Sequence, residues 1–193
     1  LWTDNGTYLT PTGGEFVDTS GTTGGYMIDN NLILQASSTN FSTFVGDGAG
    51  TSTRATGLYN TAVGYQAFQA NTTGAWNTAQ GYKALYSNAG GYENVAMGYQ
   101  ALYSNVGGGE SVAIGHQALY SHVDGGQNVA IGDGALYYTE DGWTNTAVGY
   151  NALNRTTTAY DNNAVGNQAL FYNTTGGQNV AMGSFALFYN VIG

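Results

Sequence analysis

The chain has 193 residues, room for one sizeable domain, and only 8% of them are charged. Asp and Glu number 12 against Arg54, Lys83 and Arg155, and the net charge of −9 excludes the basic footprint a nucleic-acid binder needs to displace counterions. With no cysteine there is no disulfide framework or thiolate metal site, and no apolar run approaches the ~20 residues of a membrane helix.

Glycine supplies 31 residues and proline one, which fits neither collagen nor a Pro-rich linker. Aromatic residues make up 13%, 16 of them tyrosines, a content at odds with ordinary disorder. The chain opens on Leu1, and the expectation is a processed product or a fragment. A Gly/Asn/Thr/Tyr-rich acidic composition points to repeats.

Residues 1–40 carry no repeat. Thr10 to Gly25, around Pro11, reads as loop or loosely paired strand, and Tyr26 to Leu34 as strand, Asp-Asn-Asn turn, strand. Residues 41–59 read as a degenerate capping coil, because Phe44-Val-Gly-Asp-Gly-Ala-Gly50 places Gly46 18 residues before Gly64. Atypical terminal units suit a repeat array whose open end would otherwise invite edge pairing.

Residues 60–193 hold eight units of 17 residues, anchored on Gly64, Gly81, Gly98, Gly115, Gly132, Gly149, Gly166 and Gly183. Alanine stands two before each anchor and three after it. Phe68, then Leu85, Leu102, Leu119, Leu136, Leu153, Leu170 and Leu187, stand four after it. A further glycine follows ten after the anchor in every unit except that of Ala159. The consensus is N-T/V-A-V/I-G-Y-Q-A-L-Y-S-N-x-x-G-x-x. Frequent Gly, Asn and β-branched residues disfavour helix. The N-T-A-V-G segment alternates with period two as a strand does, A-L-Y/F reads as a second short strand, and N-x-x-G as a turn. Short strands at a fixed small period predict an all-β parallel β-solenoid, one coil per unit, about 38 Å long at ~4.8 Å per coil. The expected arrangement buries the leucine ladder and the Val63, Met97, Ile114, Ile131, Val148, Val165 and Met182 ladder. Gln80 then needs a partner inside. Ala62, Ala79, Ala96, Ala113, Ala130, Ala147, Ala164 and Ala181 form, with the anchor glycines, a small-residue face for intersubunit packing. The array stops at Gly193 without a cap, so more protein, or another subunit, is expected beyond it.

Ser111-Val-Ala-Ile-Gly115, Asn94-Val-Ala-Met-Gly98 and Asn145-Thr-Ala-Val-Gly149 resemble the S/N-x-A-[VI]-G motif of trimeric autotransporter adhesin heads, although those heads use shorter coils. The resemblance implies a left-handed parallel β-roll with three rolls packed as one trimer. Over residues 26–193 the chain is also similar to phage-type tail fibres and related bacterial surface proteins, which carry runs of N-T-A-V-G-Y-Q-A-L-Y-S-N-x-T-G. That likeness implies an extracellular, cell-surface or virion location and a cell-surface glycan or protein receptor.

Catalysis and cofactors find no support in the sequence. His116 and His122 replace Tyr and Asn within one coil and read as surface variation, and no third ligand at a convincing spacing makes them a metal site. Asp133, Glu140 and Asp141 match no calcium loop. Glu93, Glu110 and Asp161 share one offset and form a column, not the facing pair that glycan hydrolysis requires. Tyr65, Tyr82, Tyr99 and Tyr150 share one ladder with potential for surface contact; Tyr86, Tyr103, Tyr120 and Tyr137 share another. Asn71, Asn88, Asn105, Asn173 and Asn190 form an amide ladder. Sequons at Asn71, Asn154 and Asn173 are expected by chance in an Asn/Thr-rich chain and do not by themselves establish glycosylation. Ice binding is disfavoured, because Thr and Val alternate irregularly along a column expected to face inward. The sequence thus points to a non-enzymatic fibre segment of an attachment structure, a homotrimer. The alternative is a self-polymerising subunit of an extracellular filament joined by strand pairing between subunits.

Overall fold

The computed structural model describes residues 15–18, 23–28, 31–37, 41–51 and 57–192. The start of the Thr10–Gly25 stretch, the first two residues of the Asp-Asn-Asn turn, and Gly193 lie outside them. The chain opens with an antiparallel meander of β1 (Glu15–Asp18), β2 (Thr23–Ile28) and β3 (Asn31–Ser37), which continues onto β4 (Thr43–Val45). β4 then pairs in parallel with β5 (Thr61–Val63) in the 18-residue register Phe44↔Ala62, so the first coil is the long one.

From there the strands are parallel. They follow as β6 (Thr78–Gln80), β7 (Ser87–Asn88), β8 (Val95–Met97), β9 (Ser104–Asn105), β10 (Val112–Ile114), β11 (Ser121–His122), β12 (Val129–Ile131), β13 (Tyr138–Thr139), β14 (Thr146–Val148), β15 (Asn163–Val165) and β16 (Val180–Met182). One sheet runs in the order β1-β2-β3-β4-β5-β6-β8-β10-β12-β14-β15-β16, and a second runs β13-β11-β9-β7. A third line of parallel bridges joins Gly109, Gly126, Trp143 and Tyr160. Each pair keeps the repeat register, as in Ala113↔Ala130. The protein is an all-β parallel β-solenoid of 17-residue coils.

Backbone hydrogen bonds run along the stack. The Gly98 and Gln100 N–H groups donate back to Gln80 and Tyr82 carbonyls (2.8 and 2.9 Å), and those of Leu102 and Ser104 donate forward to Ala118 and Tyr120 (2.9 and 3.0 Å). Stacked coils therefore satisfy the main chain without any helix.

The A-L-Y stretch is a corner, not the expected second strand. Leucines 85 to 187 in that column have φ of 49–53°, and the residues two earlier, including Gln100 and Gln117, are left-handed as well. The bend turns each leucine inward. A left-handed residue costs about 1–2 kcal/mol, and complete burial of a leucine returns about 1.5–3 kcal/mol. The second strand begins two residues later, at Ser87, Ser104, Ser121 and Tyr138.

The strand alternation is as expected, but its inner and outer faces are exchanged. Ala62, Ala79, Ala96, Ala113, Ala130, Ala147, Ala164 and Ala181 lie inside the coil at 0–2% exposure, packed with the second alanine column and the leucines. They are core residues of a single chain and not an intersubunit face. The Val/Ile/Met column points outward, so Gln80 is exposed and carries no burial penalty. The reason is width. A coil of 17 residues encloses room for two alanines, a leucine and two amides, and a β-branched residue at the strand centre would overfill it. Leu85, Leu102, Leu119, Leu136, Leu153 and Leu170 are fully buried as expected, whereas Leu187, on the last described coil, is half exposed. On the first coil Phe44 takes the alanine position and stacks on Phe68.

Candidate functional surfaces

The interior is occupied by polar ladders as well as apolar ones. Asn60, Asn77, Asn94, Asn128, Asn145 and Asn162, four residues before the anchors, are buried, with Ser111 in the same column. The Asn77 Oδ1 accepts the Asn94 N–H at 3.0 Å, while its Nδ2 donates to the Gly91 carbonyl at 2.8 Å. The Asn71–Asn190 column is the second ladder. The Asn88 Nδ2 donates to Asn71 Oδ1 at 2.9 Å and to the same Gly91 carbonyl at 3.0 Å. One carbonyl thus receives an amide from each ladder. Buried polar groups matched in this way hold one register and leave no site open to a ligand. The Asn60 column was a missed signal, although asparagine fills that offset in all units but that of Ser111.

His122 belongs to this interior and is not surface variation. It is fully buried, its Nδ1 lies 2.8 Å from Asn105 Oδ1, and its Nε2 lies 3.4 Å from Asn128 Nδ2. The Asn105 carboxamide oxygen accepts a hydrogen bond from Nδ1–H, and Nε2 accepts from the Asn128 amide, so the ring is neutral; burial pulls its pKa down to about 4. Ser111 lacks an amide in the coil where His122 brings a ring, and the imidazole lies against Gly108. His116 is on the surface, stacked on Tyr99 at 5.1 Å, with Nδ1 3.3 Å from Asp133 Oδ1.

Tyr65, Tyr82, Tyr99 and Tyr150 are exposed, at 40–52%. Tyr65, Tyr82 and Tyr99 stack at 5.5 and 5.0 Å, so within this ladder the ring faces cover one another and the edges meet solvent. Tyr150 stands between Asp133 and Asn167 in its column and has no ring partner among the described residues. A second ladder, Tyr86 to Tyr137, is half-buried. Lys83 lies between the two, its Nζ 5.4 Å from the Tyr82 ring and 5.2 Å from the Tyr86 ring. Glu93, Glu110 and Asp161 form one exposed column, in which Gln127 Nε2 donates to Glu110 Oε2 at 3.0 Å. Among the described residues, no group of three His, Asp or Glu side chains is placed to hold a metal ion. No helix among them is long and apolar enough to cross a membrane.

The large apolar surface is the outer face of the first sheet. Each strand turns two side chains out. One column runs Thr61, Thr78, Val95, Val112, Val129, Thr146; the other runs Val63, Gln80, Met97, Ile114, Ile131, Val148, Val165. Val63, Met97, Ile114, Ile131 and Val165 remain 37–40% exposed despite neighbours above and below. Charged side chains are absent from both columns. The Thr/Val column, expected to face inward, is part of this surface. Compared with protein-family models, curated proteins and solved structures, the chain matches none.

Proposed function

We propose that this chain is a structural, non-enzymatic segment of an extracellular attachment or adhesion fibre, of the phage tail-fibre or surface-adhesin kind, and that it works as a homotrimer. The observation that supports this reading is the uncharged outer face of the first sheet, where Val63, Met97, Ile114, Ile131 and Val165 stand exposed in one column interrupted by Gln80. Contiguous apolar surface on a rigid scaffold is a place for protein association. The proposed contact is this Val/Ile/Met face, because the alanines are already used inside each chain. Stacked coils supply stiffness, and three faces brought together remove the apolar columns from water. The likeness of the N-T-A-V-G-Y-Q-A-L repeats to tail-fibre and adhesin repeats supports an extracellular, cell-surface or virion setting and a glycan or protein receptor. Within the ladder the tyrosines offer a receptor their edges and hydroxyls, not their faces.

Light scattering coupled to chromatography, with electron microscopy, tests the reading. The expected result is a short rod with the mass of three chains. Long filaments with this chain as the axial repeat would make polymerisation the function instead. A stable monomer at high concentration overturns the assembly.

A further inference from the structure

Tyr86, Tyr103, Tyr120 and Tyr137 occupy one offset in four successive coils. Their ring centroids are 5.1, 5.1 and 4.9 Å apart, and their planes lie within 10° of parallel. No other residue interrupts the four, whereas the ladder through Tyr82 and Tyr99 passes to His116. Every ring is half-buried. The main-chain register Ser104↔Ser121 fixes the spacing from the adjoining strand.

We propose that this ladder is an oxidative cross-linking site, at which a haem peroxidase with hydrogen peroxide joins successive coils of one chain through dityrosine bonds. Two phenols each lose one electron and the hydroxyl proton. The resulting phenoxyl radicals couple through the ring carbons ortho to oxygen, forming one carbon–carbon bond. The hydrogens on those carbons move to the oxygens and restore both phenols. The two electrons and two protons released reduce one hydrogen peroxide to two waters. Coupling requires two radicals side by side, which is rare for tyrosines diffusing in solution. Here neighbouring rings are held side by side at 4.9–5.1 Å, so a second one-electron oxidation in the ladder places two phenoxyl radicals on adjacent rings. Rotation of both rings about their Cβ–Cγ bonds turns their ortho carbons toward each other, and a change in χ1 closes the remaining gap. The product is an axial covalent staple between coils that, along this column, are held only by hydrogen bonds and ring stacking.

The test treats the full chain, dilute and folded, with a haem peroxidase and hydrogen peroxide, and maps the products by peptide mass spectrometry. The expected product keeps the mass of one chain and contains Tyr86–Tyr103, Tyr103–Tyr120 or Tyr120–Tyr137 links. The Tyr103→Phe variant keeps the stacked ring but not the phenol, and leaves Tyr120–Tyr137 as the one neighbouring pair of this ladder able to couple. Its within-chain yield from this ladder falls at least twofold while its circular dichroism is unchanged. No dityrosine, links between chains only, an equal yield in Tyr103→Phe, or an equal pattern from the urea-unfolded chain each overturns the proposal. Within-chain links form equally in a monomer and a trimer, so the outcome is independent of the assembly proposed above.

Discussion

Gly81 lies against Gly98 so closely that a Cβ on Gly81 would sit 2.3 Å from the Gly98 carbonyl oxygen. The same relation recurs from Gly64 to Gly166, where the added carbon would meet the next anchor's carbonyl at 2.3–2.6 Å, with φ between +132° and +138°. Backbone on backbone has nowhere to move. Gly81→Ala is therefore expected to cost about 3–5 kcal/mol, combining a left-handed penalty with a clash in a packed ladder. Gly183 has φ +119° but nothing within 4 Å of the same position. Gly183→Ala should cost only about 1–2 kcal/mol. Equal losses in urea unfolding would show that stacking does not select the anchor glycine.

The buried imidazole gives the chain a pH signature. His122 is neutral when folded, with its pKa depressed to about 4, while in the unfolded chain it titrates near the ordinary value of 6.5. Above pH 6.5 both states are neutral and the contribution is complete. As pH falls from 6.5 toward 4, only the unfolded state takes up the proton. Stability drops by about 1.4 kcal/mol per pH unit, roughly 3 kcal/mol across the window. His122→Asn restores the column's usual residue and should remove that slope, with stability at pH 7 changed by less than about 1 kcal/mol. Parallel curves for the two proteins between pH 4 and 6.5 would contradict the neutral, buried assignment.

Neighbouring residues Ala113 and Ile114 separate folding from association. Ala113 is fully buried and Ile114 is 37% exposed on the outer face. Ala113→Leu adds three carbons to a filled interior and should destabilise the chain by about 1–3 kcal/mol or more, whatever its oligomeric state. The Ile114→Asp, Val165→Asp double variant, with its carboxylates three coils apart, should leave each coil folded, at a cost of about 1 kcal/mol per site. It should instead lower the native mass to that of one chain. An Asp variant that keeps the trimer mass would remove this face from the assembly.

Periodicity made the solenoid, its coil length and the leucine ladder legible, because a 17-residue spacing without insertions leaves few other folds. The alternation of Thr61, Ala62 and Val63 was legible too, but not its direction. Ordinary hydrophobic reasoning puts valine inside and alanine out, and here the width of the coil reverses it. The corner at Leu85 was equally hidden, since leucine rarely adopts a φ of 50° and only the fixed stack imposes it. His122 was misplaced because a ring in an asparagine column looks like surface drift until Asn105 and Asn128 are seen to bond both its nitrogens.

The asparagine column supplies its own control. The Asn94 Oδ1 accepts the Ser111 N–H at 3.0 Å, and its Nδ2 donates to the Gly108 carbonyl at 2.9 Å. Asn105 also donates to that carbonyl, at 2.9 Å, so deleting the Asn94 side chain chiefly orphans the buried Ser111 N–H. Asn94→Ala should then cost about 1–3 kcal/mol, the penalty for an unmade buried bond. Ser111, one coil on, shows what a hydroxyl does in the same place: its Oγ accepts the Asn128 N–H at 3.2 Å. Asn94→Ser should recover about 1 kcal/mol of the alanine loss, since the acceptor returns and only the carboxamide donor is missing. Asn94→Asp should be worst of the three, because it turns a carboxylate toward the Gly108 carbonyl inside a buried ladder. Urea unfolding of the three variants gives the order. Serine no better than alanine would mean that the column acts by filling space and not by hydrogen bonding.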